Sequence, residues 1–178
     1  MRVTLETERL ILRPFELSDA PAMFENWASD EAVTEFLTWN PHKTVAQTER
    51  IISMWVEEYE KPERLNFAIV KKDGGELIGG IDVVGYLGGV SGEPVIGYCS
   101  SRKFWGNGYM TEACKKVLEY LFSKGYKTVH IDAAKDNIRS NRVIQKCGGK
   151  FVKAEEDTLA AKNITLTINR YIVTADDD

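Results

Sequence analysis

A mixed α/β fold, with a mostly antiparallel twisted sheet flanked by helices, is predicted for this chain of 178 residues. Three observations predict it. Apolar alternation marks short strands between residues 66 and 100, separated by glycine-rich turns. Apolar residues then recur at helical spacing from Met110 to Phe122. A further strand pattern over residues 128–133 follows that helix, so one right-handed strand–helix–strand crossover interrupts the antiparallel run.

The elements follow in order. Leu10, Leu12 and the pair Pro14 and Phe15 alternate after Glu8 and Arg9, which predicts a first strand over residues 10–14. Ser18 is the expected cap of a first helix, with Pro21 inside its opening turn and Met23, Phe24 and Trp27 along it. Residues 43–60 predict a second helix, since Ile51, Ile52, Trp55, Val56 and Tyr59 share one face, and Pro62 lies just beyond its end. Residues 66–72 form a strand, Asp73, Gly74 and Gly75 a tight turn, and residues 76–84 the returning strand. A glycine-rich loop over residues 87–94 leads to a strand at 95–100. Met110, Ala113, Cys114, Val117, Leu118, Leu121 and Phe122 make one stripe of the third helix, closed by Gly125. After the strand at 128–133 come a short helix at 140–146, stopped by Gly148 and Gly149, and a final strand at 164–173. One domain is expected over residues 1–178, with an acidic end fraying over 174–178.

The bulk numbers restrict the function. A chain of this size buries a sizeable core, and 43% hydrophobic with 28% charged residues is ordinary globular composition. No apolar run approaches the ~20 residues of a membrane helix, and the opening residues lack the apolar segment of a secretory signal. The expected compartment is the cytoplasm, with no membrane partner. Cys99, Cys114 and Cys147 form neither a CxxC pair nor a ligand-like spacing, so no disulfide framework and no metal site are expected. His42 and His130 stand alone and suit structural or surface positions. A net charge of −4 counts against a nucleic-acid partner and is compatible with a cationic substrate such as an amine.

The junction before the third helix, Lys103-Phe104-Trp105-Gly106-Asn107-Gly108-Tyr109-Met110-Thr111, carries the strongest chemical signal. Two glycines let the backbone turn sharply and expose successive N–H groups. The first helical amides lack internal partners and sit at the positive end of the helix dipole. A pyrophosphate is a natural guest there, and Lys103 would add a cation. A plain tight turn is the alternative, with Trp105 and Tyr109 as packing residues and Glu112 merely offsetting the dipole. A dinucleotide-binding reading also exists, with Asp132 as the ribose acid. Thr111 in place of the third glycine and the antiparallel sheet count against it.

The stretch IGYCSSRKFWGNGYMTEA resembles the acyl-CoA-binding motif of the GNAT acetyltransferase superfamily, whose pattern is Arg/Gln-x-x-Gly-x-Gly/Ala. DNIRSNRVIQKCGG resembles the companion motif, an asparagine followed by a short helix. TERLILRPFELSDA, with the later Trp39-Asn40-Pro41, resembles the opening of the ribosomal-protein N-acetyltransferase branch (RimJ/RimL-like). The likeness spans about residues 7–151. Lys103 stands where arginine or glutamine is usual, Gly149 where phenylalanine is, and Ile144 where many members carry a thiolate-protonating tyrosine.

The resemblance implies a GNAT-like fold that parts its central strands so that the arm of acetyl-CoA pairs with exposed backbone. Tyr98, Cys99 and Ser100 are the implied backbone partners. Lys103, Trp105, Gly106, Asn107, Gly108, Tyr109 and Met110 would surround the pyrophosphate, Asn137 would hold the arm, and Lys146 would reach a phosphate. Asn137 is equally suited to capping a helix, and Lys146 to a solvated helix end. Ser140 falls where related enzymes place a thiolate-protonating serine, the alternative being a second capping hydroxyl. The base is open among Asp82, Glu93, Asp132, Glu155 and Glu156, because Val95 replaces the glutamate often found before Ile-Gly-Tyr.

The implied activity is acetyl transfer from acetyl-CoA to a primary amine by direct attack in a ternary complex, with no metal. A protein or peptide N-terminus or a small amine is the expected acceptor, bound by loops at residues 30–44 and 155–164, with Trp39 as a pocket wall or a core anchor. A non-catalytic acyl-CoA-binding module and an NAD-dependent oxidoreductase are the competing readings. Monomer and homodimer are both compatible with the sequence.

Overall fold

A computed structural model describes residues 3–61, 63–89 and 92–175. The expectations placed on Pro62, on Val90 and Ser91 of the glycine-rich loop, and on Asp176 to Asp178 lie outside the described residues.

Strand β1 (Leu5–Glu6) pairs with β2 (Leu10–Arg13), which leads into a broken first helix. A 3-10 turn (Leu17–Asp19), helix α1 (Ala20–Met23) and a π-turn (Phe24–Ala28) follow one another without a gap. Ser18 is not the cap. The Asp19 carboxylate accepts from the Glu16 amide at 2.8 Å and from both ends of the Arg13 guanidinium, which also lifts the pKa of Arg13 through that hydrogen bond. Helix α2 is a single turn (Glu31–Thr34), and α3 (Val45–Glu58) starts where the Thr44 side chain accepts from the Gln47 amide.

The remaining elements are β3 (Asn66–Lys71), β4 (Leu77–Leu87), β5 (Glu93–Ser100), α4 (Tyr109–Ser123), β6 (Thr128–Ala134), α5 (Ile138–Lys146), β7 (Lys150–Leu159) and β8 (Ile164–Thr174). They build one sheet in the order β1-β2-β3-β4-β5-β6-β8-β7. Every neighbouring pair is antiparallel except β5 and β6, which run parallel across the α4 crossover.

Three expectations need correction. β4 runs on to Leu87 and β5 begins at Glu93, so the glycine-rich loop is shorter than its composition suggested. Strand β7 occupies the first half of what was expected to be a substrate loop at residues 155–164. It is an edge strand exposed on both faces, so no buried alternation marks it, and its ladder with β8 holds it extended. Fraying was expected from residue 174, yet Thr174 pairs with Thr128 and the Ala175 amide donates to Lys127 O at 3.0 Å.

Two cores lie on opposite faces of the sheet. Ala113, Cys114, Val117, Leu118 and Leu121 of α4 pack with Ile144 of α5 against Ile81, Val83, Ile96 and Ile131. On the other face Phe15, Met23, Trp27 and Ile52 cover Ala68, Val70 and Leu77. Asn141 pins α5 to the sheet: its amide donates to Ala134 O at 2.9 Å, and its Oδ1 accepts from the Tyr171 hydroxyl at 2.7 Å and from Asn169 at 2.9 Å. Buried polar atoms satisfied this fully fix an orientation that apolar packing alone leaves loose. No helix among the described residues is long and apolar enough to cross a membrane.

Candidate active site

β5 and β6 pair only through Val95 with His130 and Ile96 with Ile131. Beyond that point β5 stays on β4 as far as Ser100, and β6 stays on β8 as far as Ala134. The sheet therefore opens into a V with its apex at Ile96 and Ile131. The Ser101 amide donates to Ile78 O on β4 at 2.9 Å. Successive backbone groups in a strand face alternate sides, so Cys99 also faces β4 while the Tyr98 and Ser100 amides face the opening. Cys99 is thereby removed from the backbone contacts expected of it; its thiol is buried, which pushes its pKa up to about 12.

The second wall of the opening is the start of α4. Gly106 and Gly108 both have positive φ, 80° and 79°, and turn the chain so that the amides of Tyr109, Met110 and Thr111 precede the first intrahelical bond, from Glu112 N to Gly108 O. A glutamate in this turn would weaken the site for an anion, but Glu112 is committed elsewhere. Burial raises its pKa, while bonds from Thr7 Oγ1 at 2.6 Å and from the Arg9 amide and guanidinium more than offset that. Arg9 also donates to Asn107 O and lies 4.5 Å over the Tyr109 ring, which ties the loop to β2. Asn107 folds back onto the carbonyls of Phe104 and Trp105. Met110 is half-buried against the α4 core.

Lys103 does not turn toward the α4 amides in this structure; it pairs with Glu76 at 2.7 Å and is largely exposed. Trp105 donates its indole N–H to Ser100 O at 3.0 Å, and Arg139 of α5 stacks 4.0 Å from its ring. That stack ties the loop before α4 to α5, and spacing along the chain does not suggest Arg139 as the partner of Trp105.

Helix α5 supplies the third wall. Asn137 is its N-cap, accepting from the Ser140 amide at 3.2 Å. Ser140 is not a second cap, because its hydroxyl lies 3.0 Å from the phenol of Tyr98. Burial first of all drives the Tyr98 pKa far up, so the phenol stays protonated. Ile144 is wholly buried and has no proton to give. Lys146 is exposed at the far end of α5.

The candidate bases separate by their partners. Glu93 is bonded to His130 at 2.5 Å, which lowers its pKa. Arg170 holds Asp132 at 2.5 Å, Glu155 at 2.8 Å and Asp157 at 3.0 Å. Glu156 points out from the edge strand and is exposed. Asp82 differs. Among the described residues nothing donates a hydrogen bond to it, and burial pushes its pKa up to about 6. The two expected substrate segments do meet, since Asn40 donates to Ala161 O at 2.9 Å and the Lys162 ammonium binds the carbonyls of Thr34 and Glu35. Trp39 packs on the second core beside His42, whose Nδ1 is 2.8 Å from Thr48 Oγ1. Among the described residues no group of His, Cys, Asp and Glu is gathered that could hold a metal ion.

The sequence model of the Acetyltransferase (GNAT) domain family matches residues 9–150. This chain belongs to the GNAT acetyltransferase family. Among curated GNAT relatives, the N-acetyltransferase YoaA of Bacillus subtilis (strain 168), itself uncharacterized, is 32% identical over 147 residues, covering 81% of each chain. The uncharacterized N-acetyltransferase p20 of Bacillus licheniformis is 34% identical over 122 residues, 67% of this chain and 66% of that one. Among solved structures, the ribosomal L7/L12 alpha-N-protein acetyltransferase RimL in complex with coenzyme A superposes with a TM-score of 0.85, at 18% identity, over 99% of this chain and 100% of that one. At that identity the likeness bears on the GNAT fold alone.

Proposed function

We propose that this single-domain GNAT enzyme transfers the acetyl group of acetyl-CoA to a primary amine, with a protein or peptide N-terminus as the acceptor class. The observation that carries the reading is the V-shaped opening, which gathers the α4 amides, the free amides of Tyr98 and Ser100, and the Asn137–Ser140 turn. The α4 amides suit a diphosphate. A Tyr98 or Ser100 amide suits an extended amide-bearing arm and would polarise a thioester carbonyl lying against it. The acceptor class is supported by the name of the RimL neighbour and by a neighbour from Salmonella typhimurium described as modifying the N-terminal serine of L7/L12.

Release of free thiol from acetyl-CoA, measured with a Ser-Ala-Ala peptide and with small alkylamines, tests this. Thiol release with the peptide and protection by acetyl-CoA against thermal unfolding are expected. Protection with no thiol release from any amine would instead fit a non-catalytic acyl-CoA module, a reading favoured by the missing hydroxyl at Ile144.

The leaving thiolate needs a proton, and the Tyr98–Ser140 pair is placed to give it: Ser140 donates and Tyr98 replenishes it. Ser140→Ala is expected to lower kcat about 10- to 100-fold with acetyl-CoA affinity unchanged, and Tyr98→Phe to lower it less. An unaltered kcat in Ser140→Ala would remove the pair from the chemistry.

A further inference from the structure

A transverse row of residues crosses the face of the sheet opposite α4 and α5. Asp82 pairs with Gly97, and Ile96 pairs with Ile131, so Gly97 stands one step beyond the last β5–β6 pair, level with Asp132. Asp132 in turn pairs with Arg170. The neighbours of these residues along their strands, Ile81 and Val83, Ile96 and Tyr98, Ile131 and Ala133, pack into the α4 core. Side chains alternate along a strand, so Asp82, Gly97 and Asp132 share the other face. Gly97 has no side chain. Two carboxylates thus flank a position with no side chain of its own at the apex of the V, with their Cα atoms at least about 10 Å apart, two strand spacings.

The two carboxylates are not equivalent. Asp132 is held by Arg170, while Asp82 has no hydrogen-bond donor among the described residues. The titratable groups that face Asp82 from the surrounding elements are Arg64, before β3, and the Cys99 thiol on β5, which stays neutral. Arg64 is itself paired with Glu58 at 3.3 Å. A Cβ built on Gly97 would lie 3.7 Å from Asp82 Oδ1 and 2.7 Å from Val84 Cγ1. The space over Gly97 is thus covered by a methyl of the exposed Val84 side chain, and it adjoins the unpartnered carboxylate directly once that side chain turns outward. An enclosed carboxylate without a partner is costly to the fold, and a cationic guest is what relieves that cost.

We infer that the acceptor amine is received over Gly97, between Asp82 and Asp132, and that Asp82 is the group that takes its proton. The inference rests on the acetyl-transfer reading above. The ammonium gives one proton to the Asp82 carboxylate. The freed nitrogen lone pair attacks the thioester carbonyl carbon from the apex of the V, the C–N bond forms and the C–S bond breaks. The sulfur leaves with the bonding pair and takes a proton from the Ser140 hydroxyl, which regains one through the Tyr98 phenol. The nitrogen, cationic once acylated, sheds its second proton to water, and that proton balances the one Ser140 gave up. Gly97 is then a size filter: any side chain there occupies the space of the attacking nitrogen.

The test uses the full chain and acetyl-CoA with the Ser-Ala-Ala peptide as the amine probe. Acetyl-CoA affinity is read by thermal protection, and turnover is read from pH 5 to pH 10 in the wild type, Asp82→Asn, Gly97→Ala, Gly97→Ala with Val84→Ala, and Glu156→Gln as an exposed-carboxylate control. The wild-type kcat/KM should fall away below about pH 6. Asp82→Asn should lose about 100-fold in kcat/KM at pH 7 and lack the bend of that acid limb near pH 6, its activity falling steadily instead at every pH below the pKa of the amine. It should recover as pH nears the pKa of the amine, since amine arriving neutral needs no base. Gly97→Ala should raise the KM for the peptide about 10-fold, and the double variant, in which the Val84 contact is relieved, should stay raised. All variants should bind acetyl-CoA as the wild type does, and Glu156→Gln should turn over within about twofold of it. An Asp82→Asn enzyme with intact turnover, or one that retains the bend near pH 6, overturns the assignment and leaves the acetyltransferase reading standing. A wild type with no affinity for acetyl-CoA overturns both.

Discussion

Asp82→Asn is expected to melt at a higher temperature than the wild type at pH 8 and at the same temperature near pH 3. The sign follows from the direction of the shift. Burial, opposed in part by Arg64, raises the folded-state pKa of Asp82 from 3.8 to about 6. The folded state therefore holds that proton more tightly than the unfolded chain does. Below about pH 3.8 both states are protonated and the residue carries no penalty. Between about 3.8 and 6 the unfolded state ionises first, and stability falls as pH rises through that window. Above it the penalty is complete. Two pKa units correspond to about 3 kcal/mol, an upper bound because an asparagine amide also needs partners. For a chain of this size that is a gain of at most about 10 °C in Tm, measurable by calorimetry across pH. A variant no more stable than the wild type at pH 8 would show that the carboxylate is solvated. Gain of stability together with loss of turnover is the signature of a group retained for chemistry.

Gly108→Val is expected to weaken acetyl-CoA affinity about 100-fold or more. At φ 79° a β-branched side chain is strained by about 1–2 kcal/mol. Its Cβ would also lie 3.6 Å from Arg9 Nη2, in the contact that ties the loop to β2. That distance is an ordinary contact, so the strain is what must relax, and relaxing it turns the first amides of α4 away from a common focus. Strain alone is controlled by Gly74→Val, because Gly74 has φ 81° and nothing within 4 Å of a Cβ. Both variants should lose comparable stability, and only Gly108→Val should lose thermal protection by acetyl-CoA. Equal protection in the two would detach the α4 start from diphosphate binding.

Much of the architecture was legible because its signals are local. The α4 stripe from Met110 to Phe122, the Asp73–Gly75 turn and the meander before it each depend on residues close in sequence. Strand β7 was not, since it is exposed on both faces, its apolar residues Phe151, Val152 and Ala154 follow no period of two, and only the pairing with β8 makes it a strand. The first helix was read with the wrong cap because Arg13, whose guanidinium orients Asp19, lies outside the local capping pattern. The same boundary divides the site. Gly106 and Gly108 announce a turn by their type. The Tyr98–Ser140 contact, the Arg139–Trp105 stack and the Asp82–Gly97–Asp132 row depend on registers between strands, which spacing along the chain does not encode. The direction of Lys103 was not legible for a related reason: a cation near a glycine loop has no fixed direction in the sequence, and here it lies on Glu76.

The tie between Lys162 and the carbonyls of Thr34 and Glu35 joins a hairpin tip to a segment more than a hundred residues earlier. Its anchor points on the earlier segment are main-chain oxygens, so side-chain changes at Thr34 or Glu35 leave the anchorage in place. The length of the β7–β8 hairpin then sets the clearance beneath that bridge. On the proposed acetyl-transfer reading, insertions or deletions at its tip would change the room for an acceptor without disturbing β5 and β6.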